Sequence, residues 1–205
     1  MPKRKGPYDF QSNNNIIPCF ITKPEQGKKS IEISELIHKD LTEDSNILSF
    51  YICPNRRNQA NQTEGNFMTY NKYYTKDKHH ISVLHGDKQN ITEEDYYIYK
   101  ANVKGERMII SLANKRRLQV VKKIIIVWIK ENEQHKVKIY LDEAGHEQTF
   151  NCFIKYIWMD LEQDIGRLTN IFPIFIDAHT KCLLNNKNFI KYFPKETLNI
   201  LKNKY

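Results

Sequence analysis

The sequence predicts an α/β domain with a mostly parallel sheet and helices on both of its faces. Three features carry that expectation. Apolar runs of strand length, such as "NILSFYIC", "VKIYL" and "FPIFI", are nearly continuous, as befits strands buried on both faces. Between them lie segments whose apolar residues recur every three or four positions, the spacing of one helical face. Polar turns rich in Gly, Lys, Asp and Glu follow several of the strands. Parallel sheets bind their ligands there, outside the carboxyl ends of the strands.

The elements follow in order. Ile16 to Ile21 form a first strand, and "PEQGKKS" breaks it. In "IEISELIHKDL" the apolar residues Ile33, Leu36, Ile37 and Leu41 lie at helical spacing. "NILSFYICP" is a second strand closed by Pro54, and the polar stretch from Asn55 to Lys78 receives no assignment. "HHISVLHG" and "RMIISLANK" read as third and fourth strands. From Arg116 to Glu133, Leu118, Val121, Ile125 and Trp128 fit one helical face. The β-branched "IIIVWI" within it also suits a strand, and helix is the reading adopted. After "KVKIYLDEAG", residues Phe150, Ile154, Ile157, Leu161, Ile165 and Leu168 form the clearest helical stripe. "FPIFIDAHT" is a further strand, and the C-terminal segment is short mixed structure with a basic end. No repeat or low-complexity linker interrupts the chain. The expected organisation is one domain over residues 16–193, between a basic and polar tail (1–15) and a basic tail (194–205).

Composition narrows the function classes. At 40% hydrophobic residues the 205-residue chain can bury a real core and is no disordered segment. A formal charge of +8 favours polyanionic partners: nucleic acid, nucleotides or an acidic surface. Cys19, Cys53, Cys152 and Cys182 are scattered, without zinc-site pairs or the density of a disulfide scaffold, which suits a reduced, intracellular setting. No run approaches a membrane span and the N-terminus lacks a signal-peptide core, so no membrane association is expected. His79, His80 and His85 cluster, but no Cys or acid completes a metal-ligand spacing. "YNKYYTK" and "DYYIYK" interleave aromatics with Lys, as single-strand-binding surfaces do.

Three strand-end loops carry the chemistry. A phosphate-binding loop, G-x-x-x-x-G-K-[ST], offers converging backbone N–H groups, a Lys for phosphate oxygens and a hydroxyl for magnesium. "TKPEQGKKS" has the strand-loop-helix context. Thr22 stands at the first Gly position, Gly27 and Lys28 match, Lys29 replaces the hydroxyl residue, and Ser30 lies one place late. Either Gly27-Lys28 works as spelled, or the loop is shifted by one and Lys29-Ser30 is the working pair. A plain basic turn is the competing reading. "KVKIYLDEAGHE" stops a buried strand at Asp142 and Glu143. Such a pair can hold magnesium and orient an attacking water, or simply begin a helix. His146 beyond it reads as a solvent-facing helix start.

The succession "TKPEQGKKS", "ILSFYICPNRRNQANQ", "IISLANKRRL", "VKIYLDEAGHE" and "IFPIFIDAHT" resembles the first motor domain of superfamily 2 DEAD/DEAH-type helicases. The likeness is strongest to helicase-like proteins of large DNA viruses, and it covers residues 16–185. It implies a single RecA-like P-loop domain using ATP and magnesium. Gly27, Lys28, Lys29 and Ser30 would cradle phosphate, Ser30 and Asp142 would hold the metal, and Glu143 would orient the water. Asn55, Arg56, Arg57 and Gln59, with Asn114, Lys115 and Arg116, would face a nucleic-acid backbone. Asp177, Ala178, His179 and Thr180 would stand in the motif that couples hydrolysis to strand movement, although Asp177 and His179 depart from its hydroxyl residues. Such helicases use a second motor domain, which supplies an arginine finger worth 10³ or more in rate. Only one fits in 205 residues, so weak turnover or none is expected without a second domain in trans. The resemblance implies the cytoplasm or nucleus of a host cell. The alternative is a non-enzymatic, basic α/β nucleic-acid-binding or scaffold protein that has lost the nucleotide.

Overall fold

The computed structural model describes residues 19–22, 28–74, 81–83, 93–165, 169–178, 180–193, 195, 198 and 199. Gly27, the histidines at 79, 80 and 85, His179 and most of both tails lie outside them. The described chain is an α/β unit with an all-parallel sheet, as the sequence predicts, and is consistent with a RecA-like or Rossmann-like domain. Its strands are β1 (Cys19–Thr22), β2 (Ile47–Cys53), β3 (Ile81–Val83), β4 (Met108–Leu112), β5 (Lys136–Leu141) and β6 (Ile171–Asp177), in the spatial order β1-β6-β5-β2-β4-β3. Every pairing is parallel.

Helices α1 (Lys28–Glu43), α2 (Arg57–Tyr74), α3 (Glu93–Lys104) and α4 (Lys115–Glu131) connect the first five strands. Helix α5 (Glu147–Phe153) continues through a π-helical segment, Ile154–Trp158, into α6 (Met159–Ile165). Short α7 (Thr180–Asn185) and α8 (Lys187–Tyr192) follow β6. From β1 to β3 the chain crosses the sheet one way, and from β3 to β6 it returns. Right-handed crossovers therefore put α1 and α2 on one face and α3 to α6 on the other.

Two cores confirm this division and show the period-two alternation of the strands. On the α1/α2 face, Ile33, Ile37 and Leu41 pack with Ile47, Tyr51, Cys53, Ile110, Tyr140, Ile174 and Ile176. On the other, Leu48, Phe50, Ile52, Val137, Ile139, Leu141 and Phe175 pack with Leu118, Val121, Ile125, Trp128, Phe150, Phe153 and Ile157. The strands look continuously apolar in sequence because both sets of residues are buried.

Several assignments change. The stretch left open after Pro54 is helix α2, and "DYYIYK" lies in helix α3. Ile98 is buried there, Tyr97 packs on the core and Lys100 pairs with Glu106, so much of that segment serves the fold. Tyr70 of "YNKYYTK" is likewise buried. The predicted stripe from Phe150 omits Phe153 and Trp158. The π-helical segment widens the turn and brings both into the core beside Ile154 and Ile157.

Candidate functional site at the carboxyl edge of the sheet

Neighbouring strands β2 and β5 send their chains in opposite directions, β2 through α2 toward β3 and β5 through α5 toward β6. The helices diverge to opposite faces and leave a crevice between the two strand ends, the usual ligand site of such sheets. Asp142 and Glu143 stand at its lip. Ile52 pairs with Leu141 in the ladder, and the Asp142 N–H donates to the Ile52 carbonyl at 3.0 Å, so the acids begin where pairing ends.

Asp142 is buried, and its Oδ1 accepts the Glu143 N–H at 3.0 Å. The Tyr51 phenol lies beside it, in phase on the neighbouring strand. Burial first, and then the Asp142 charge, push the Tyr51 phenol well above its ordinary value. Tyr51 therefore stays protonated. Burial likewise pushes the nearby Cys53 thiol up to about 12, which leaves it an inert filler.

Glu143 has a φ of 48°, the left-handed region that a non-glycine residue enters at some cost. Its Oε1 accepts from Gln59 Nε2 at 3.0 Å. The loop is pinned beyond Glu143. Ala144 N–H donates to the Ile176 carbonyl at 2.9 Å, and Gly145 N–H donates to Asp177 Oδ2 at 2.7 Å. The other Asp177 oxygen accepts the Ala178 N–H at 2.7 Å. A Cβ on Gly145 would lie 2.6 Å from the Cys182 carbonyl carbon and 2.7 Å from Asp177 Oδ2, so only glycine fits. His146 is exposed at the start of α5 and makes no side-chain cap, as its sequence context suggests.

The phosphate-loop residues are only partly described. Lys28, Lys29 and Ser30 open α1, in keeping with the strand-loop-helix expectation. Asp40, near the other end of that helix, accepts from Lys138 and from the Tyr140 hydroxyl of β5. Helix α1 thus runs back along the face shared by Lys138, Tyr140 and Tyr51, with its N-terminus toward the edge that holds Asp142. The strand ends β1 and β5 are separated by β6 alone, roughly 10 Å at two strand spacings.

The expected nucleic-acid residues divide. Asn55, Arg56, Lys115 and Arg116 are exposed at this edge, and Arg57 opens α2. Asn114 caps α4, accepting the Arg117 N–H at 3.1 Å, and donates to Asn55 Oδ1 at 3.0 Å. The loops after β2 and β4 are thereby stitched together. Gln59 reaches Glu143 instead of solvent. Of the four residues assigned to the coupling motif, Asp177 ends β6 and braces the acid loop, Ala178 follows it and Thr180 opens α7.

Among the described residues no group of three or more His, Cys, Asp or Glu could cage a metal. A magnesium ion bound through one carboxylate, phosphates and water needs no such cage, and a buried Asp oriented by a backbone N–H suits it. No helix among the described residues is long and apolar enough to cross a membrane. Tyr51, and Gln59's hold on Glu143, are absent from the sequence reading, because both depend on which strands are neighbours. No family model and no curated protein matches this chain.

Proposed function

We propose that this chain is a nucleotide-binding domain of the helicase type that acts on nucleic acid. The observation that carries the reading is the juxtaposition of Asp142 and Glu143 with the N-terminus of α1, on one face and one edge of a parallel sheet. A helix N-terminus favours phosphate through its free N–H groups and its dipole. The roughly 10 Å between the β1 and β5 ends leaves room for a phosphate and a hydrated cation.

In this reading the backbone and lysines at the head of α1 hold the phosphates, and Asp142 and Ser30 hold magnesium, which supplies Lewis-acid stabilisation of phosphate charge. Glu143 orients a water. The water oxygen bonds to the terminal phosphorus, the bond to the bridging oxygen breaks, ADP departs, and Glu143 takes the proton. Tyr51 keeps Asp142 in place, and Asp177 holds the loop. Turnover by this chain is expected to be slow without an arginine finger.

The test is binding of a fluorescent ATP analogue, with and without magnesium, to the chain and to Lys28→Ala and Asp142→Ala variants. Magnesium-dependent binding that either substitution abolishes is the expected result. Failure of the parent to bind would overturn the reading. The exposed Arg56, Lys115 and Arg116 at one edge would then favour the second one, a non-enzymatic nucleic-acid-binding protein.

A further inference from the structure

We infer that Gln59 is a positioning residue that latches Glu143, and that a nucleic-acid backbone seated on the loops after β2 and β4 opens the latch. The inference rests on the proposed roles of the acid pair and of the exposed basic edge, and it supplies the link between them. Glu143 and Gln59 are 84 positions apart and belong to the two sides of the crevice, yet they meet at 3.0 Å. The backbone of Glu143 is held in a left-handed conformation on the same occasion. Gln59 sits in the first turn of α2, directly after exposed Asn55 and Arg56. Asn55 is tied to Asn114, behind which Lys115 and Arg116 are exposed.

A phosphodiester arriving at Arg56, Lys115 and Arg116 meets the Gln59 amide next. That amide donates equally well to a carboxylate or to a phosphate oxygen, and it cannot serve both with the same N–H. If it turns to phosphate, Glu143 loses its partner and the reason for its strained backbone weakens. Freed, the carboxylate can move to the water beside the nucleotide. A residue at one binding surface therefore competes directly with a residue at the other, with no chain of intermediates.

Linkage makes this testable without catalysis, because a contact that nucleic acid must break weakens its binding. Glu143→Ala removes the competitor for Gln59. Glu143→Gln removes the same charge but keeps an amide oxygen that can still hold Gln59. The probes are fluorescein-labelled oligo(dT) and oligo(rU), titrated without nucleotide. Glu143→Ala is expected to tighten binding about three- to tenfold more than Glu143→Gln, the range for one hydrogen bond. In a Gln59→Ala background the two variants at 143 should bind alike.

Equal affinities of the two variants in the parent background would overturn the latch. So would a difference that survives Gln59→Ala, or a parent that binds neither oligonucleotide. The ATP analogue scores the other reading separately. Analogue binding with a flat cycle leaves the nucleotide site standing and removes the latch. A positive cycle without analogue binding upholds the latch and removes the catalytic role of Glu143.

Discussion

The two edges of the sheet treat their carboxylates in opposite ways. At the amino edge, Asp40 and Asp44 are neutralised. Lys138 reaches Asp40 at 2.6 Å and Lys136 reaches Asp44 at 2.9 Å. Arg107 spends its guanidinium on the backbone carbonyls of Leu41, Asp44 and Ile47. At the carboxyl edge, neutral donors orient Glu143 and Asp177: an amide at Glu143 and two backbone N–H groups at Asp177. A cationic partner cancels a carboxylate's field, whereas a neutral donor fixes its direction and leaves the charge to act on something else. One edge pairs its carboxylates with cations, and the other orients Glu143 and Asp177 through neutral donors.

The largest expected effect breaks the carboxyl edge through its backbone. Gly145→Ala forces a Cβ against the Cys182 carbonyl carbon and Asp177, and overpacking of this kind costs about 3 kcal/mol at its upper range. Urea unfolding should show a lowered midpoint, and analogue binding should weaken with it. Gly65→Ala makes the counterpart, because nothing lies within 4 Å of its Cβ in α2. It should stabilise by roughly 0.5–1 kcal/mol. A Gly145→Ala protein as stable as the parent would mean that the loop is not pinned as described. Next in size is Arg107→Ala at the amino edge, which strips a charged donor from three carbonyls and should cost about 2 kcal/mol. Analogue and oligonucleotide affinities should be unchanged in the folded variant. A change in either would erase the division of labour between the edges.

The division was only partly legible in the sequence. The strands and the helical stripe from Phe150 stand out because their apolar residues are dense and periodic, and each side of each strand meets a core; α4, with its β-branched "IIIVWI", could equally have been a strand. Helix α2 does not, since "RNQANQTEGNFMTYNKYY" buries Ala60, Phe67 and Tyr70 among many polar residues and carries Gly65 at mid-length. The position of Asp142 and Glu143 at a strand end was readable from "KVKIYLDEAG"; the need for glycine at 145, set by Cys182 and Asp177, was not. Nor were the neighbours of the two acids. Tyr51 lies beside Asp142, and Gln59 reaches Glu143, only because β2 lies beside β5, and no local pattern encodes strand order. Asp177 illustrates the same limit: expected in a coupling motif, it is seen holding the Gly145 N–H, a contact set by β6 lying next to β5.

Tyr51→Phe sharpens the comparison at smaller cost. The ring stays packed against Phe67 and Tyr140, and only the hydroxyl beside Asp142 is lost. Stability should fall by about 1 kcal/mol. Loss of a partner behind a metal ligand typically weakens the metal by roughly tenfold or more. The analogue should therefore need about ten times more magnesium for half-maximal binding, with little change at saturating magnesium. Equal magnesium requirements in both proteins would reduce Tyr51 to a packing residue.

The smallest effect belongs to the amino edge and is read in acid. The Lys136 ammonium, then the Asn46 N–H, hold the Asp44 carboxyl below its usual range. A group lowered on folding stabilises fully above its unfolded value, near 3.9, and loses that contribution as pH falls through the lower folded value. Lys136→Met should therefore cost about 0.5 kcal/mol at neutral pH, as expected of a partly exposed pair, and the deficit should shrink with added salt. As pH falls below the unfolded carboxylate value the deficit should shrink, and it should vanish once the carboxyl is protonated in both folded proteins. Urea midpoints at neutral and acid pH measure the difference. A deficit of equal size at both would assign the contribution of Lys136 to its packed methylenes, and the amino edge would then owe its cohesion to burial more than to paired charge.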